Sequence, residues 1–207
     1  ANGAYGERMA QIAKQGGKNT AVYTEPYDRI PDAAKVEEIL KEDPQITHVS
    51  MIHSETTSGI LNDIEAVGKA AKAAGKIFIV DAMSSFAGVD IDVAGIGIDF
   101  LVSSANKCVQ GVPGFSYIIC KRRALAACEG KSRSVSLDLY DQWKTMEKDG
   151  KWRFTSPTQS VVAFAKALEE LEEEGGIPAR EKRYRENNQE LIRRMKALGI
   201  RTYVDEA

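Results

Sequence analysis

The stretch Lys76-Ile77-Phe78-Ile79-Val80-Asp81 decides the fold of this chain. Its four successive apolar residues leave no polar face, so the segment suits a strand that is buried on both sides in a helix-covered parallel sheet. The stretch Ile98-Asp99-Phe100-Leu101-Val102 repeats this character and runs into Ser103-Ser104-Ala105-Asn106-Lys107. The two apolar runs therefore predict central strands of one sheet, each ending in polar residues.

Shorter helix and strand patterns surround this centre. Strand-like runs occupy residues 20–24, 48–52, 115–120 and 200–204, and helical patterns occupy residues 32–44, 62–75, 156–175 and 178 to about 198. Asp32, Asn62 and Ser156 are the predicted N-caps, and Pro157 would take the first helical position. Because helices and strands alternate at short spacings, we expect an α/β fold, a mostly parallel sheet with helices on both faces.

The composition argues against several functional classes. The 207 residues carry 28 Lys plus Arg against 30 Asp plus Glu, and the pI is about 5.9. Without a basic surplus, we expect no nucleic-acid partner. No apolar run approaches the length that crosses a bilayer, and the first residues lack a secretory pattern. We therefore expect no membrane partner and a cytoplasmic location.

The three cysteines and two histidines offer little chemistry of their own. No two cysteines form a C-x-x-C pair, and neither His48 nor His53 lies at a metal-ligand spacing from a cysteine. An odd number of cysteines fits a reducing compartment. We expect buried thiols and no metal site. Cys108, beside Lys107, is either a packed thiol or a reactive one, and packing is favoured.

The polar residues that follow the predicted strands are the candidate site. Ligands of open parallel sheets bind beyond the carboxyl ends of the strands. Three polar sets lie there, at residues 53–59, 81–85 and 103–107. Together they offer hydroxyls, the Asp81 carboxylate and the Lys107 amine at one edge of the sheet.

Asp81 and Lys107 each have an ordinary interpretation. Asp81 alone would suit a cap on Met83 or Ser84, and Lys107 alone would extend its amine to solvent. Taken together, the acid and the amine are what a pyridoxal 5'-phosphate site needs. The amine forms a Schiff base with the cofactor aldehyde, and the carboxylate keeps the ring nitrogen protonated.

Other catalytic templates are absent from the sequence. There is no G-x-S-x-G nucleophile turn and no G-x-x-x-x-G-K-[ST] phosphate loop. The stretch Gly95-Ile96-Gly97-Ile98-Asp99-Phe100 lacks the last glycine of a dinucleotide-binding loop. The common hydrolase, NTPase and dehydrogenase interpretations are therefore disfavoured.

Several strings make the sequence similar to class V aminotransferases. They are His53-Ser54-Glu55-Thr56-Thr57-Ser58-Gly59, Ile79-Val80-Asp81-Ala82-Met83-Ser84-Ser85, Ser103-Ser104-Ala105-Asn106-Lys107-Cys108-Val109-Gln110-Gly111-Val112-Pro113-Gly114, Ser134-Val135-Ser136-Leu137-Asp138-Leu139-Tyr140-Asp141-Gln142-Trp143 and Trp152-Arg153-Phe154-Thr155-Ser156-Pro157. The likeness covers essentially the whole chain. It implies the large domain of a fold type I transferase that moves the amino group of 2-aminoethylphosphonate to pyruvate in phosphonate degradation.

The resemblance also implies a role for each candidate residue. Lys107 would bind the cofactor covalently and then move the proton between substrate and cofactor. Asp81 would pair with the pyridinium nitrogen, and Thr56 and Asn106 would hydrogen-bond the phenolic oxygen. Thr155 would reach the cofactor phosphate of a neighbouring subunit, so a homodimer is implied. The small-molecule partners would be an amino donor and a keto acid, with no metal.

Compared with this family, the chain is expected to be incomplete at both ends. Residues 1–175 would form most of the large cofactor-binding domain, and residues 176–207 a linking helix and the start of a small domain. Missing would be the loop that cradles the cofactor phosphate, the aromatic residue that stacks on the ring and the arginine that binds the substrate anion. We therefore expect weak cofactor retention and little or no turnover from this chain alone.

Three alternative functions remain open. Alanine:glyoxylate or serine:pyruvate aminotransferases of the same class share Asp81, Lys107 and the hydroxyl-rich turn. Cysteine desulfurase is disfavoured, because Asn106 stands where that enzyme commonly has histidine. A non-enzymatic folded core, which no longer binds the cofactor, is the remaining alternative.

Overall fold

A computed structural model describes residues 1–204 of the chain. The helices are α1 (Ala4–Gln15), α2 (Ala33–Glu42), α3 (Ile64–Ala73), α4 (Val93–Ile96), α5 (Arg122–Ala126), α6 (Leu139–Asp149), α7 (Thr158–Glu174) and α8 (Gly176–Ala197). The strands are β1 (His48–Ile52), β2 (Ser54–Glu55), β3 (Ile60–Leu61), β4 (Ile77–Asp81), β5 (Phe100–Ser104) and β6 (Ser116–Cys120). None of these helices combines the length and apolar character that a membrane crossing requires.

Strand β4 lies inside the main sheet, as its apolar sequence predicts. The strand order is β1-β4-β5-β6, and β4 pairs in parallel with both β1 and β5. Strand β6 runs antiparallel to β5, because residues 105–115 between them supply no crossover helix. The sheet is thus mostly parallel and flanked by helices, which confirms the predicted fold class. A two-stranded antiparallel hairpin, β2–β3, forms where the sequence predicted only a polar turn.

The core fixes the strands that carry the candidate site. Phe78 and Val80 of β4 and Leu101 of β5 pack against Val67 and Ala71 of α3, and all five are almost completely buried. Burying a side chain such as Phe or Val contributes roughly 1.5–3 kcal/mol. Packing of this kind holds the carboxyl ends of β4 and β5 in a defined register.

The predicted helix caps are right in one case of three. The Asp32 side chain accepts a hydrogen bond from the Ala34 amide at 2.9 Å, which confirms it as the cap of α2. Asp63 caps α3 instead of Asn62, because the buried Asn62 amide bonds the Ile52 carbonyl and Asn2. Helix α7 begins at Thr158, one residue later than predicted, with Pro157 as its N-cap and no capping side chain.

Two strand-like runs of the sequence are not strands in the structure. Residues 20–24 and 200–204 pair with no strand among residues 1–204, and an isolated extended segment is not stable in water. The apolar face predicted for the last helix is also only partly covered, since Leu191 is 59% and Leu198 75% exposed. Helices α1, α4, α5 and α6 were not predicted.

Candidate active site

The carboxyl ends of β1, β4 and β5 lie side by side at one edge of the main sheet. Ile52 at the end of β1 is the register partner of Asp81, and Asp81 is the partner of Val102 on β5. The polar sets at residues 53–59, 81–85 and 103–107 therefore begin at neighbouring strand ends. Below, residues 81–85 are called the Asp81 loop and residues 105–110 the Lys107 loop.

Asp81 is half-buried, and one of its carboxylate oxygens is already engaged. Its Oδ1 accepts a hydrogen bond from the Met83 backbone N–H at 2.9 Å. Oδ1 therefore acts as the predicted cap, although the residues that it caps form a turn and not a helix. Oδ2 has no hydrogen-bond partner within the described part of the chain. Burial raises the pKa of the Asp81 carboxyl, and the Met83 N–H and the charge of Lys107 oppose that rise.

Lys107 lies in the turn directly after β5 and is exposed. Exposure agrees with a lysine that extends to solvent, but the Lys107 ammonium is also close enough to act on the pKa of Asp81. The amine makes no hydrogen bond or ion pair with any residue from 1 to 204. The structure therefore places the predicted acid and amine at one edge of the sheet and leaves the amine without a partner among residues 1–204.

Thr56 and Asn106 lie at the same edge. Thr56 Oγ1 donates a hydrogen bond to Ser84 Oγ at 2.9 Å, which joins the β2 segment to the Asp81 loop. Asn106 directly precedes Lys107 and is exposed. Both side chains are polar and accessible, so both suit contact with a small ligand held between Asp81 and Lys107.

Thr155 is not joined to this cluster. It lies between α6 and α7 in an exposed segment. Its neighbour Phe154 is 55% exposed, and Val135 and Leu137, in the segment before α6, are 74% and 83% exposed. Arg153 links the two segments by donating a hydrogen bond to the Val135 carbonyl at 2.7 Å.

Ser104 adds a buried hydroxyl that lacks a partner. It ends β5 at 6% exposure, and its Oγ has no hydrogen-bond partner among residues 1–204. Ser104 shares a sheet face with Asp81, because Asp81 is the register partner of Val102 and alternate residues of a strand face the same way. Buried hydroxyls in folded proteins nearly always have a partner, so the site has an unused hydrogen-bonding group on the same sheet face as the acid.

Cys108 behaves as a packed thiol. It is half-buried, and its Sγ donates to the Ser84 carbonyl at 3.3 Å, which connects the Lys107 loop to the Asp81 loop. Burial raises the pKa of the Cys108 thiol, although the positive charges of Arg180 and Lys107 oppose the rise. A raised pKa lowers the thiolate fraction on which reactivity depends.

His53, the first residue of the polar set at residues 53–59, is a buried support of the site. Its Nδ1 is 2.9 Å from Ser85 Oγ, so the end of β1 is tied to the Asp81 loop. Burial lowers the pKa of His53 to about 4, which keeps the ring neutral at pH 7. Across residues 1–204, no group of three or more His, Cys, Asp or Glu side chains is arranged to bind a metal ion.

Glu55 was missed by sequence reasoning. Its carboxylate is fully buried and accepts hydrogen bonds from Thr57 Oγ1 at 2.7 Å, from the Thr57 N–H at 3.1 Å and from the Gly6 N–H in the first turn of α1 at 3.1 Å. It thereby fixes the residue after Thr56. In the sequence Glu55 lies within the polar set at residues 53–59, three residues after the strand-like run 48–52, and no local pattern distinguishes it from its neighbours.

Arg180 is the second missed residue. It lies on α8, is 2% exposed and donates hydrogen bonds to the carbonyls of Cys108 and Val109. In the sequence it is one of many charged residues of a long polar helix, so no local pattern sets it apart.

Comparison with known proteins connects this geometry to one family. A family model described as Aminotransferase class-V matches residues 5–207. The 2-aminoethylphosphonate–pyruvate transaminase of Klebsiella pneumoniae is 55% identical over 211 residues, which cover 100% of this chain and 56% of that protein. The protein of the same name from Bacillus cytotoxicus is 56% identical, with 100% of this chain and 57% of that protein covered. The chain thus spans a little over half the length of these curated relatives.

Solved structures give the same fold. An alanine–glyoxylate aminotransferase from Nostoc sp. superposes with a TM-score of 0.88 at 22% identity, over 99% of this chain and 55% of that chain. A pyridoxamine-pyruvate aminotransferase from Mesorhizobium loti gives 0.79 at 30% identity, over 87% of this chain and 47% of that one. At 22% identity the first likeness concerns the fold alone.

Proposed function

The chain belongs to the class V aminotransferases, and from that premise we propose that the whole protein transfers the amino group of 2-aminoethylphosphonate to pyruvate. The donor becomes phosphonoacetaldehyde and pyruvate becomes L-alanine. The proposed chemistry rests on the Lys107 amine and the Asp81 carboxylate at adjacent strand ends. The choice of donor is supported by 53–56% identity to curated relatives of that name.

The residues present fit pyridoxal 5'-phosphate. Asp81 Oδ2 is free to accept a hydrogen bond from a protonated ring nitrogen, and such a cation would lower the pKa of the half-buried carboxyl. Among residues 1–204 the Lys107 amine has no competing ion pair. The hydroxyl of Ser104, which lies on the same sheet face as Asp81, likewise has no partner among these residues. When bound, this cofactor supplies an electron sink for the carbon that loses its proton.

Lys107 would both attach the cofactor and transfer the proton of the donor. Its amine would bind the aldehyde carbon and, once the donor has taken that place, would remove the proton from the donor carbon. An amine that makes no ion pair with the described part of the chain is available for both roles. Asp81 would hold the proton on the ring nitrogen, because a carboxylate next to a cationic nitrogen favours its charged form.

The remaining candidate residues would orient the ring and complete the site. Thr56 and Asn106 would bind the phenolic oxygen. Thr155 would bind the cofactor phosphate of a second copy, so the protein would be a homodimer. We place this homodimer in the cytoplasm. The exposure of Phe154 and Leu137 supports the homodimer, because apolar side chains this exposed suit burial against a partner.

We also propose a division of the chain at α8. Residues 1–175 would belong to the large cofactor-binding domain, and residues 176–207 to the linking helix and the start of a small domain. Helix α8 begins at Gly176, which supports the boundary. Residues 205–207 of the second segment lie outside the described residues.

A donor comparison tests the proposal. The whole protein, loaded with pyridoxal 5'-phosphate, is incubated with pyruvate and equal concentrations of 2-aminoethylphosphonate, L-serine or pyridoxamine, and L-alanine formation is followed. L-Alanine with glyoxylate is tested in parallel by glycine formation. We expect the phosphonate donor to react fastest. Faster reaction with any other donor would overturn the choice of substrate, and no reaction with any donor would favour the folded-core alternative.

A further inference from the structure

Arg180 is the most deeply buried charged side chain that contacts the Lys107 loop. Its Nη1 donates to the Cys108 carbonyl at 2.9 Å and to the Val109 carbonyl at 3.1 Å. Its Nε and Nη2 donate to Glu174 Oε2 at 2.9 and 2.8 Å. One side chain of α8 thus binds the two residues that follow Lys107 and the last residue of α7.

Glu174 fixes the direction of the Arg180 guanidinium. It also accepts hydrogen bonds from Arg183 at 2.7 and 3.0 Å. The two arginines together lower the pKa of Glu174 to about 2, so the carboxylate is ionised at neutral pH. Arg183 is 42% exposed and contacts no carbonyl of the Lys107 loop; it also lies over the Tyr184 ring, where a lysine would keep the positive charge. The two arginines therefore share an acid but differ in what else they hold.

The Lys107 loop is a tight turn that is closed by backbone hydrogen bonds. The Gln110 N–H donates to the Lys107 carbonyl at 2.8 Å, and the Gly111 N–H donates to the Ala105 carbonyl at 2.9 Å. Gln110 has a φ of 66°, a left-handed conformation that is unfavourable for residues other than glycine. A second contact with α8 supports it, since Gln110 Nε2 donates to Tyr184 Oη at 2.6 Å.

We infer that Arg180 is a positioning residue for Lys107, acting through the carbonyls of Cys108 and Val109. This inference rests on the proposed function, in which Lys107 is the reacting amine. The guanidinium fork meets two carbonyls and a carboxylate at once, which the point charge of a lysine does not reproduce. Without these bonds the turn is free to open, and the backbone from which the Lys107 side chain extends is no longer fixed relative to the Asp81 edge. Misplacement of a reacting group by about 1 Å costs on the order of 10²-fold in rate.

Amide hydrogen exchange in the protein without cofactor tests the inference. The wild type, Arg180→Lys and the matched control Arg183→Lys are compared for a peptide that spans residues 105–112. We expect exchange at least about tenfold faster in Arg180→Lys and unchanged in Arg183→Lys. Unchanged exchange in Arg180→Lys, or an equal increase in both variants, would overturn the inference.

A wild-type measurement covers the case in which Arg180→Lys does not fold. If α8 holds the turn, Gln110 and Gly111 should open together with the first turns of α8, and their protection should match that of residues 180–184, whose amides bond within the helix. Fast exchange of the loop amides while those α8 amides stay protected would refute the role of Arg180.

The holoenzyme supplies a second signature. The visible circular dichroism of the bound cofactor depends on a fixed ring orientation, just as the near-ultraviolet signal of aromatic side chains depends on fixed packing. We expect Arg180→Lys to lose visible dichroism at equal absorbance and about 10- to 100-fold in kcat with little change in KM, and Arg183→Lys to change neither. Dichroism unchanged in Arg180→Lys would count against positioning. Because exchange is measured without cofactor, it stands even if the donor comparison fails.

Discussion

The Asp81 loop and the Lys107 loop end neighbouring strands of one sheet, yet they are held in different ways. The Asp81 loop is fixed by its own Met83 amide and by His53 at the end of the adjacent strand. The Lys107 loop is fixed by Arg180, 71 and 72 residues further along the chain. The loop of the acid is therefore held from within the sheet. The loop that carries the amine is held by α8, a helix outside the sheet.

This difference has a functional meaning. Because the acid is fixed locally, changes in α8 should leave its position intact, whereas the same changes should reach the amine. The thiol of Cys108, bonded to the Ser84 carbonyl, is a direct link between the two loops. The position of Asp81 should thus determine where the cofactor ring binds, and α8 should affect the position of Lys107 relative to that ring.

Replacing the amine should have the largest effect. Lys107→Ala removes the group proposed to attach the cofactor and to move the proton, so L-alanine formation by the whole protein should fall by roughly 10²–10⁴-fold or more. The unfolding midpoint should change little, because the amine makes no hydrogen bond or ion pair in the described chain. Lys69→Ala, at an exposed lysine of α3, is the control. A Lys107→Ala variant with wild-type turnover would remove Lys107 from the reaction.

Replacing the acid should separate its charge from its role as a cap. Asp81→Asn keeps an oxygen for the Met83 N–H but loses the charge, so turnover should fall by roughly 10²–10³-fold with stability nearly unchanged. Asp81→Ala loses both and should also cost about 1 kcal/mol of stability. Turnover and urea midpoints measure the two effects. If Asp81→Asn is as active as wild type while Asp81→Ala is not, Asp81 is only a cap.

His53 should make the support of the Asp81 loop sensitive to pH. Its pKa in the folded protein is about 4, below the value of 6.5 that it has in the unfolded chain. The unfolded chain therefore takes up a proton first as pH falls, and stability is lost between about pH 6.5 and pH 4. The shift corresponds to about 3 kcal/mol. Urea unfolding across this range should show the loss in wild type and not in His53→Asn; equal slopes would contradict it.

Glu174 should give the support of the Lys107 loop a pH response in a more acidic range, and solvent screening of this surface carboxylate should make it smaller. Hydrogen bonds from Arg183 and Arg180 lower its pKa to about 2, so their stabilising effect is complete above the ordinary pKa of 4.5. It is lost as pH falls from there towards 2. Glu174→Gln should be less stable than wild type at about pH 5, and the difference should shrink near about pH 3. A difference that does not depend on pH would argue against this ion pair.

The sequence predicts the sheet and the paired acid and amine because both follow from local patterns. An apolar run marks β4 as an interior strand, and Asp81 is distinguished by its position directly after that run. The same reasoning fails at residues 20–24, where an extended pattern has no neighbouring strand in the structure. A strand depends on its partners, and a single stretch of sequence does not state them.

The supports of the site are harder to predict, for a related reason. Arg180 resembles the other charged residues of α8 until folding brings it against two carbonyls of a distant turn. Asn62 is a residue type that often caps helices, yet its side chain forms hydrogen bonds with the Asn2 side chain, 60 residues away, and does not cap α3. Such long-range hydrogen bonds have no local signature.

Asp81 and Lys107 are proposed to hold opposite sides of one pyridoxal 5'-phosphate ring. The direct test is to load the whole protein with the cofactor, reduce it with borohydride and map the modified peptide by mass spectrometry in wild type and in Asp81→Asn. We predict the label on Lys107 in the wild type and a smaller yield at the same residue in Asp81→Asn. No label, or a label on other lysines, would contradict the claim.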